Sequence, residues 1–233
     1  MNFLAIEKIL GYSFKNTGLL ERALTHRSFA YEKMPFGQEV EVRALHNETL
    51  EFVGDSVLGL AIAEQLFIKN PTLSEGDLTL MKHRLVSTET LAKLSDKLTL
   101  GDFVRFGKGE LKTGGRKKLA LQADIVEALI GAIFFDSGYI AARTFVAKIF
   151  IDELRTITPS SAIDFKSTLQ EKLQAKKLPP PIYSKTQMIG PSHKPVFHVD
   201  VSWGGNTETG IGNSLKEAEM RAAQKALKKL SDE

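Results

Sequence analysis

Glu48, Glu51 and Asp55 stand at i, i+3 and i+7 in the stretch HNETLEFVGDSVLGL, residues 46–60. On a helix that spacing puts the three carboxylates on one face. Leu50, Val53, Val57, Leu58 and Leu60 cover the rest and are expected inside. A carboxylate that loses part of its hydration needs a partner, and this stretch holds no lysine or arginine. A hard divalent cation, Mg²⁺ or Mn²⁺, would supply one through oxygen ligands. The other reading is a solvated acidic helix face. A second stretch, ADIVEALIGAIFFDSGY, residues 123–139, repeats the pattern. Asp124 and Glu127 stand there at i and i+3 among Ile125, Val126, Leu129, Ile130, Ile133 and Phe134. Packing the two helices together would gather Glu51, Asp55, Asp124 and Glu127 into an all-carboxylate site for one or two divalent cations.

The elements that must carry these residues follow from pattern. FLAIEKILGY and TGLLERALTHRSF read as short helices around a turn at 16–18, and residues 31–45 read as a loop. The first acidic helix runs to Asn70, where Pro71 ends it. Ser74 and Asp77 have capping spacing for one helix through LTLMKHRLVSTETLAKLSDKL, with Glu75 at its start. Residues 98–118 read as a glycine-rich loop bearing Arg105, Lys108, Lys112, Arg116, Lys117 and Lys118. That loop is either simply solvated or close to a phosphate backbone. Residues 139–154 read as an amphipathic helix with Phe145, Ile149 and Leu154 inside, and RTITPSSA, centred on Pro159, as a linker. DFKSTLQEKLQAKK then reads as a helix. PIYSKTQMIG, PVFHVDVSWGG and TETGIGNS read as three antiparallel strands, and SLKEAEMRAAQKALKKL as a basic amphipathic helix.

Composition narrows the classes. With 233 residues and 42% hydrophobic content, the chain can build one sizeable core or two modest ones. It has no cysteine, which excludes disulfides, a thiolate nucleophile and cysteine zinc sites. No unbroken apolar run approaches the ~20 residues that span a bilayer. Glu7 and Lys8 interrupt the N-terminal segment, so a soluble cytoplasmic chain without a membrane partner is expected. The net charge is +3; residues 1–163 carry 20 Lys+Arg and 20 Asp+Glu, and residues 164–233 carry 11 and 8. The excess lies in the C-terminal third, in keeping with a polyanionic partner.

The two acidic stretches resemble, in residue types, spacing and order, the signature helices of the ribonuclease III family of double-stranded-RNA endonucleases. Leu24, Thr25, His26, Arg27 and Ser28 resemble its early motif, with His26 either a base or a structural hydrogen-bonding residue. Residues 164–233, with Trp203 and Gly210, Ile211 and Gly212, resemble the double-stranded-RNA-binding domain. The resemblance implies an all-α nuclease domain over 1–155, a linker over 156–163 and a small α+β domain, α-β-β-β-α, over 164–233. It implies a homodimer, with apolar residues such as Phe52 and Leu58 at the interface. The implied reaction is hydrolysis of duplex RNA to 5′-phosphate and 3′-hydroxyl ends, in ribosomal RNA precursors and other structured transcripts.

In that reading Glu51, Asp124 and Glu127 ligate Mg²⁺, for which Mn²⁺ substitutes. Asp55 and Glu127 are catalytic, Asp55 by positioning the metal and its water. Glu48 and Glu75 support from outside, although Glu75 also fits a plain first-turn acid. The implied RNA contacts are Gln170 and Glu171 on the first helix of the small domain, His193 in the loop at 190–193, and Lys216, Arg221 and Lys225 on its last helix. The chain departs from the family twice. Leu119 and Ala120 replace a Glu-Ser-like pair, and Leu215 replaces the first lysine of a pair completed by Lys216. The alternative function is a non-catalytic duplex-RNA-binding protein on the same fold.

Overall fold

The computed structural model describes residues 3–34, 39–191 and 195–231. It divides into two compact units, Met1–Ala162 and Ile163–Glu233. The first is helical: α1 (Phe3–Leu10), α2 (Thr17–Ala23), α3 (Arg27–Lys33), α4 (Glu39–Arg43), α5 (Glu48–Lys69), α6 (Glu75–Leu85), α7 (Thr88–Lys97), α8 (Lys108–Lys112), α9 (Leu119–Ile149), α10 (Ile151–Thr156) and α11 (Pro159–Ala162). Its centre is the pair α5 and α9, with α7 and α2 also against α9. By length and composition α9 passes as a membrane-crossing helix. Here its Ile125, Val126, Leu129, Ile130 and Ile133 fill the core of the unit. The backbone breaks at Gly138, whose φ of 79° and ψ of −178° are not helical, so the second acidic segment ends there and an amphipathic one follows.

The two central helices touch backbone to backbone. A Cβ on Gly54 would lie 1.8 Å from the carbonyl oxygen of Glu127, and one on Gly131 would lie 2.1 Å from that of Leu50. Only glycine fits at either place. The crossing therefore sits one turn or less from the acids on both helices.

Several expected loops and helices differ. Within 31–45, α3 continues to Lys33 and α4 forms a single turn, tied by Glu39 to the Tyr31 hydroxyl at 2.8 Å and to Arg43 at 3.0 Å. One turn is too short to show a period. The helix expected through residues 78–98 breaks after Leu85, because the Ser87 hydroxyl accepts from the Thr90 N–H and starts α7. The segment TGLLERALTHRSF also divides, where Thr25 bridges Arg105 and His26 caps α3. Residues 98–118 are packed rather than loose, with Leu100, Val104 and Phe106 buried. Three of their cations are engaged: Arg105 with Glu21 at 2.6 Å, Arg116 with the Gly101 carbonyl, and Lys118 with Glu110 at 2.7 Å. The stretch read as a linker contributes α11, which packs on α6 and buries Ala162.

The second unit follows the order α12 (Phe165–Ala175), β1 (Ile182–Ile189), β2 (Val196–Trp203), β3 (Asn206–Gly212) and α13 (Leu215–Ser231). Asp164 caps α12 by accepting from the Lys166 N–H at 3.1 Å. The strands form an antiparallel sheet in the order β1-β2-β3. A Cβ on Gly210 would lie 2.0 Å from the Ala218 carbonyl oxygen. The small face of α13 (Ala218, Ala222, Ala223 and Ala226, all buried) therefore rests directly on the sheet. Leu169, Leu173, Val201 and Trp203 complete this separate core.

Candidate active site

Glu51 lies in the first turn of α5, and Asp124 and Glu127 lie one turn apart near the start of α9. The glycine crossing draws the three half-buried carboxylates together: one oxygen from each lies within 4.8 Å of the others. Burial, followed by the charges of Asp55, Glu51 and Asp124, pushes the Glu127 carboxyl up to about 8. Burial, followed by Asp124, Glu48 and Asp55, pushes Glu51 up to about 7. Asp124 is also raised, by burial first; its own backbone N–H works against this and Glu48 with it. Among the described residues, no cationic side chain is named as acting on these three. An oxygen-only donor set, crowded and short of positive charge, fits a hard divalent cation.

Asp55 is exposed and lies outside that group of three, although its charge reaches Glu51 and Glu127. Glu48 is also outside. One of its oxygens accepts from Arg27 Nη1 at 2.9 Å, and the other lies 3.9 Å from His46 Nδ1. The basic partner missing from the signature stretch thus comes from the start of α3. Glu75 is exposed at the start of α6, where it accepts from the Thr79 hydroxyl at 2.9 Å. It is not among the groups named as acting on the three acids. His26 caps α3: its Nδ1 accepts from the Ser28 N–H at 3.3 Å, and its ring packs against Phe106.

The apolar positions of α5 need correction. Leu58, expected inside by its spacing but also offered for an interface, is fully buried. Leu60, expected inside, is 58% exposed, together with Phe52 at 76%. Phe67 and Ile68 are exposed on the same helix. Gly54 and Gly131 were not singled out from sequence, and Arg27 only as part of the early motif, without its partner Glu48. A glycine inside an apolar helix costs about 1 kcal/mol against alanine, so its presence in both acidic helices was a signal of close approach.

In the second unit Gln170, Glu171 and Lys216 are exposed. Leu215 is 43% exposed and not part of the core. Arg221 and Lys225 are engaged within the unit. Arg221 donates to the Ile211 carbonyl at 2.9 Å and to Glu217 at 2.6 Å, and Lys225 donates to the Thr209 carbonyl at 2.7 Å. Both reach back to carbonyls of β3, the last strand of the sheet, and cover its edge. His193 lies outside the described residues. On the first unit Lys108, Lys112 and Lys117 remain exposed.

A family profile described as Ribonuclease-III-like matches residues 16–154, and one described as double-stranded RNA binding motif matches residues 165–230. The Ribonuclease 3 of Idiomarina loihiensis is 43% identical over 230 residues, covering 97% of this chain and 95% of its own. That of Carboxydothermus hydrogenoformans is 42% identical over 234 residues, covering 100% and 97%. The solved nuclease domain of ribonuclease III from Campylobacter jejuni aligns with a TM-score of 0.59 at 36% identity, over 67% of this chain and 98% of that one.

Proposed function

The chain belongs to the ribonuclease III family and is a double-stranded-RNA-specific endoribonuclease, and on that premise we propose that Glu51, Asp124 and Glu127 hold Mg²⁺, with Mn²⁺ able to replace it. The observation that carries the reading is the convergence of three half-buried carboxylates with, among the described residues, no cationic side chain named as acting on them. The alternative of a binding protein without activity has no support in the site, because Glu51, Asp124 and Glu127 are all present and converge.

The cation, when bound, activates water and offsets the charge of the phosphate. The chain's own residues do the rest. Glu51 and Glu127 give up the protons that burial, and then the neighbouring carboxylates, keep on them, and become charged donors. Asp55, exposed at the margin, accepts a hydrogen bond from the attacking water and aligns it with phosphorus. The P–O3′ bond breaks as the new P–O bond forms, the water's proton passes to solvent and the departing O3′ takes one from solvent, leaving 5′-phosphate and 3′-hydroxyl ends. Glu48 supports the cluster from its rim, and Glu75 serves as the first-turn acid of α6.

In the small domain, Gln170, Glu171 and Lys216 meet the duplex, with His193 a further proposed contact. Arg221 and Lys225 add charge along α13 while holding β3. Ribosomal RNA precursors and other structured transcripts in the cytoplasm are the proposed substrates. The Campylobacter jejuni nuclease domain is described as having a region involved in dimer formation. In this chain Phe52, Leu60, Phe67 and Ile68, exposed on α5, are the proposed homodimer face.

End-group analysis of duplex RNA cut in Mg²⁺ tests the reaction. Products carrying 5′-phosphate and 3′-hydroxyl are expected. A 2′,3′-cyclic phosphate would mean that the RNA's own 2′-hydroxyl attacks, and the role given to Asp55 would fall.

A further inference from the structure

We propose that Arg27 is a positioning residue for this reaction: it holds the Glu48 carboxylate out of the metal ligand set and keeps it at the rim of the site. The inference rests on the reading that Glu51, Asp124 and Glu127 are the ligands.

Glu48 stands at i−3 from Glu51 on α5, where side chains of one helix face are neighbours. It nonetheless lies outside the converging three. Both its oxygens are drawn elsewhere, one to Arg27 Nη1 at 2.9 Å and the other towards His46 Nδ1 at 3.9 Å. His46 is buried, and that nitrogen has no hydrogen-bond partner among the described residues. Arg27 is itself held. Its guanidinium lies 5.9 Å above the Tyr31 ring, Tyr31 stacks towards His46 with ring centres 6.5 Å apart, and the Tyr31 hydroxyl donates to Glu39 at 2.8 Å. Arg27 is exposed, and ion pairs at the surface add little to stability. The consequence of this pair therefore lies in where it leaves the carboxylate.

The Glu48 charge already reaches Glu51 and Asp124, and without Arg27 its carboxylate is released to turn towards them. A fourth carboxylate there would tighten binding of the cation. It would also occupy a coordination position that water or phosphate needs and weaken the Lewis acidity of the ion. Loss of Arg27 therefore tightens metal binding and slows turnover, a combination that simple loosening of the site does not give.

The test is a double-mutant cycle on the full chain. Mn²⁺ affinity is measured by calorimetry, kcat on duplex RNA in parallel, and a thermal melt is run on each protein. Arg27→Gln is expected to bind Mn²⁺ several-fold more tightly than wild type, with kcat lower by about tenfold. In a Glu48→Gln background the same change should alter neither quantity, because Arg27 acts through Glu48. Arg27→Lys, which keeps a cation beside Glu48, should fall between wild type and Arg27→Gln. Unchanged affinity and kcat in Arg27→Gln, or effects that persist in the Glu48→Gln background, overturn the proposal while leaving the ligand assignment standing. A wild type that binds Mn²⁺ no better than Glu127→Gln overturns the assignment and this proposal together.

Discussion

Glu51 and Glu127, raised to about 7 and about 8 from an ordinary 4.5, hold protons in the metal-free protein where exposed carboxylates have lost theirs. Between roughly pH 4.5 and 8 the folded chain thus binds more protons than the unfolded one. The metal-free protein loses stability as pH rises through that window. A divalent cation takes the place of those protons, so metal affinity should rise with pH over the same range. Calorimetry of Mg²⁺ binding in buffers of different ionisation enthalpy should show release approaching about two protons per ion near pH 6 and well under one above pH 9. Proton-independent binding would remove Glu51 and Glu127 from the ligand set. At this scale the acids were legible because residue type and spacing alone place carboxylates on a helix face. The pairing of Arg27 with Glu48 was not, since the two are 21 positions apart and meet only when α3 packs beside the start of α5. The inside and outside of α5 were likewise hard to tell. Apolar residues lie almost all round it, so Leu58 and Leu60 carry no mark of which faces the core.

The elements with strong local signals fell where pattern put them: Ser74 caps α6, the small unit runs α-β-β-β-α, and the buried face of α13 is alanine. The misses were single turns and breaks set by one side chain, such as α4 and the Ser87 cap. The two-glycine crossing of α5 and α9 depends on both helices at once, which no single stretch displays. The edge of β3 shows the same limit. Arg221 and Lys225 have the composition of a phosphate-binding helix, yet in place they hold strand carbonyls. Leu215 is the converse case. It is 43% exposed at the start of α13, beside Lys216, so a longer charged side chain meets solvent there. Leu215→Lys should leave the thermal melt unchanged and steepen the salt dependence of duplex binding by roughly one further phosphate neutralised. Salt titration of binding reads this directly. An unchanged slope would show that the start of α13 does not meet the phosphate backbone.

Across the whole molecule, acidic chemistry and net positive charge are divided between units. The cluster lies in Met1–Ala162, and the charge excess in residues 164–233. Two domains were legible from the change of pattern near Pro159. The compact first unit runs on through that expected linker to Ala162, a single buried methyl at the end of a four-residue helix. A nuclease fragment should therefore end after Ala162, since ending at 155 strips α11 from α6. The 1–162 fragment should cut duplex RNA at low salt and fail at a lower salt concentration than the full chain, having lost phosphate contacts. Equal salt tolerance would mean that the small domain does not hold substrate. The central claim is that the acid cluster cuts through a divalent cation while other surfaces hold the RNA. The direct measurement is cleavage and binding of one long duplex RNA by wild type and Glu127→Gln, side by side, in Mg²⁺ and in EDTA. Wild type should cut in Mg²⁺ alone, and Glu127→Gln should bind within a few-fold of wild type but cut at least about 100-fold more slowly. Cleavage in EDTA, or cleavage by Glu127→Gln within a few-fold of wild type, would contradict it.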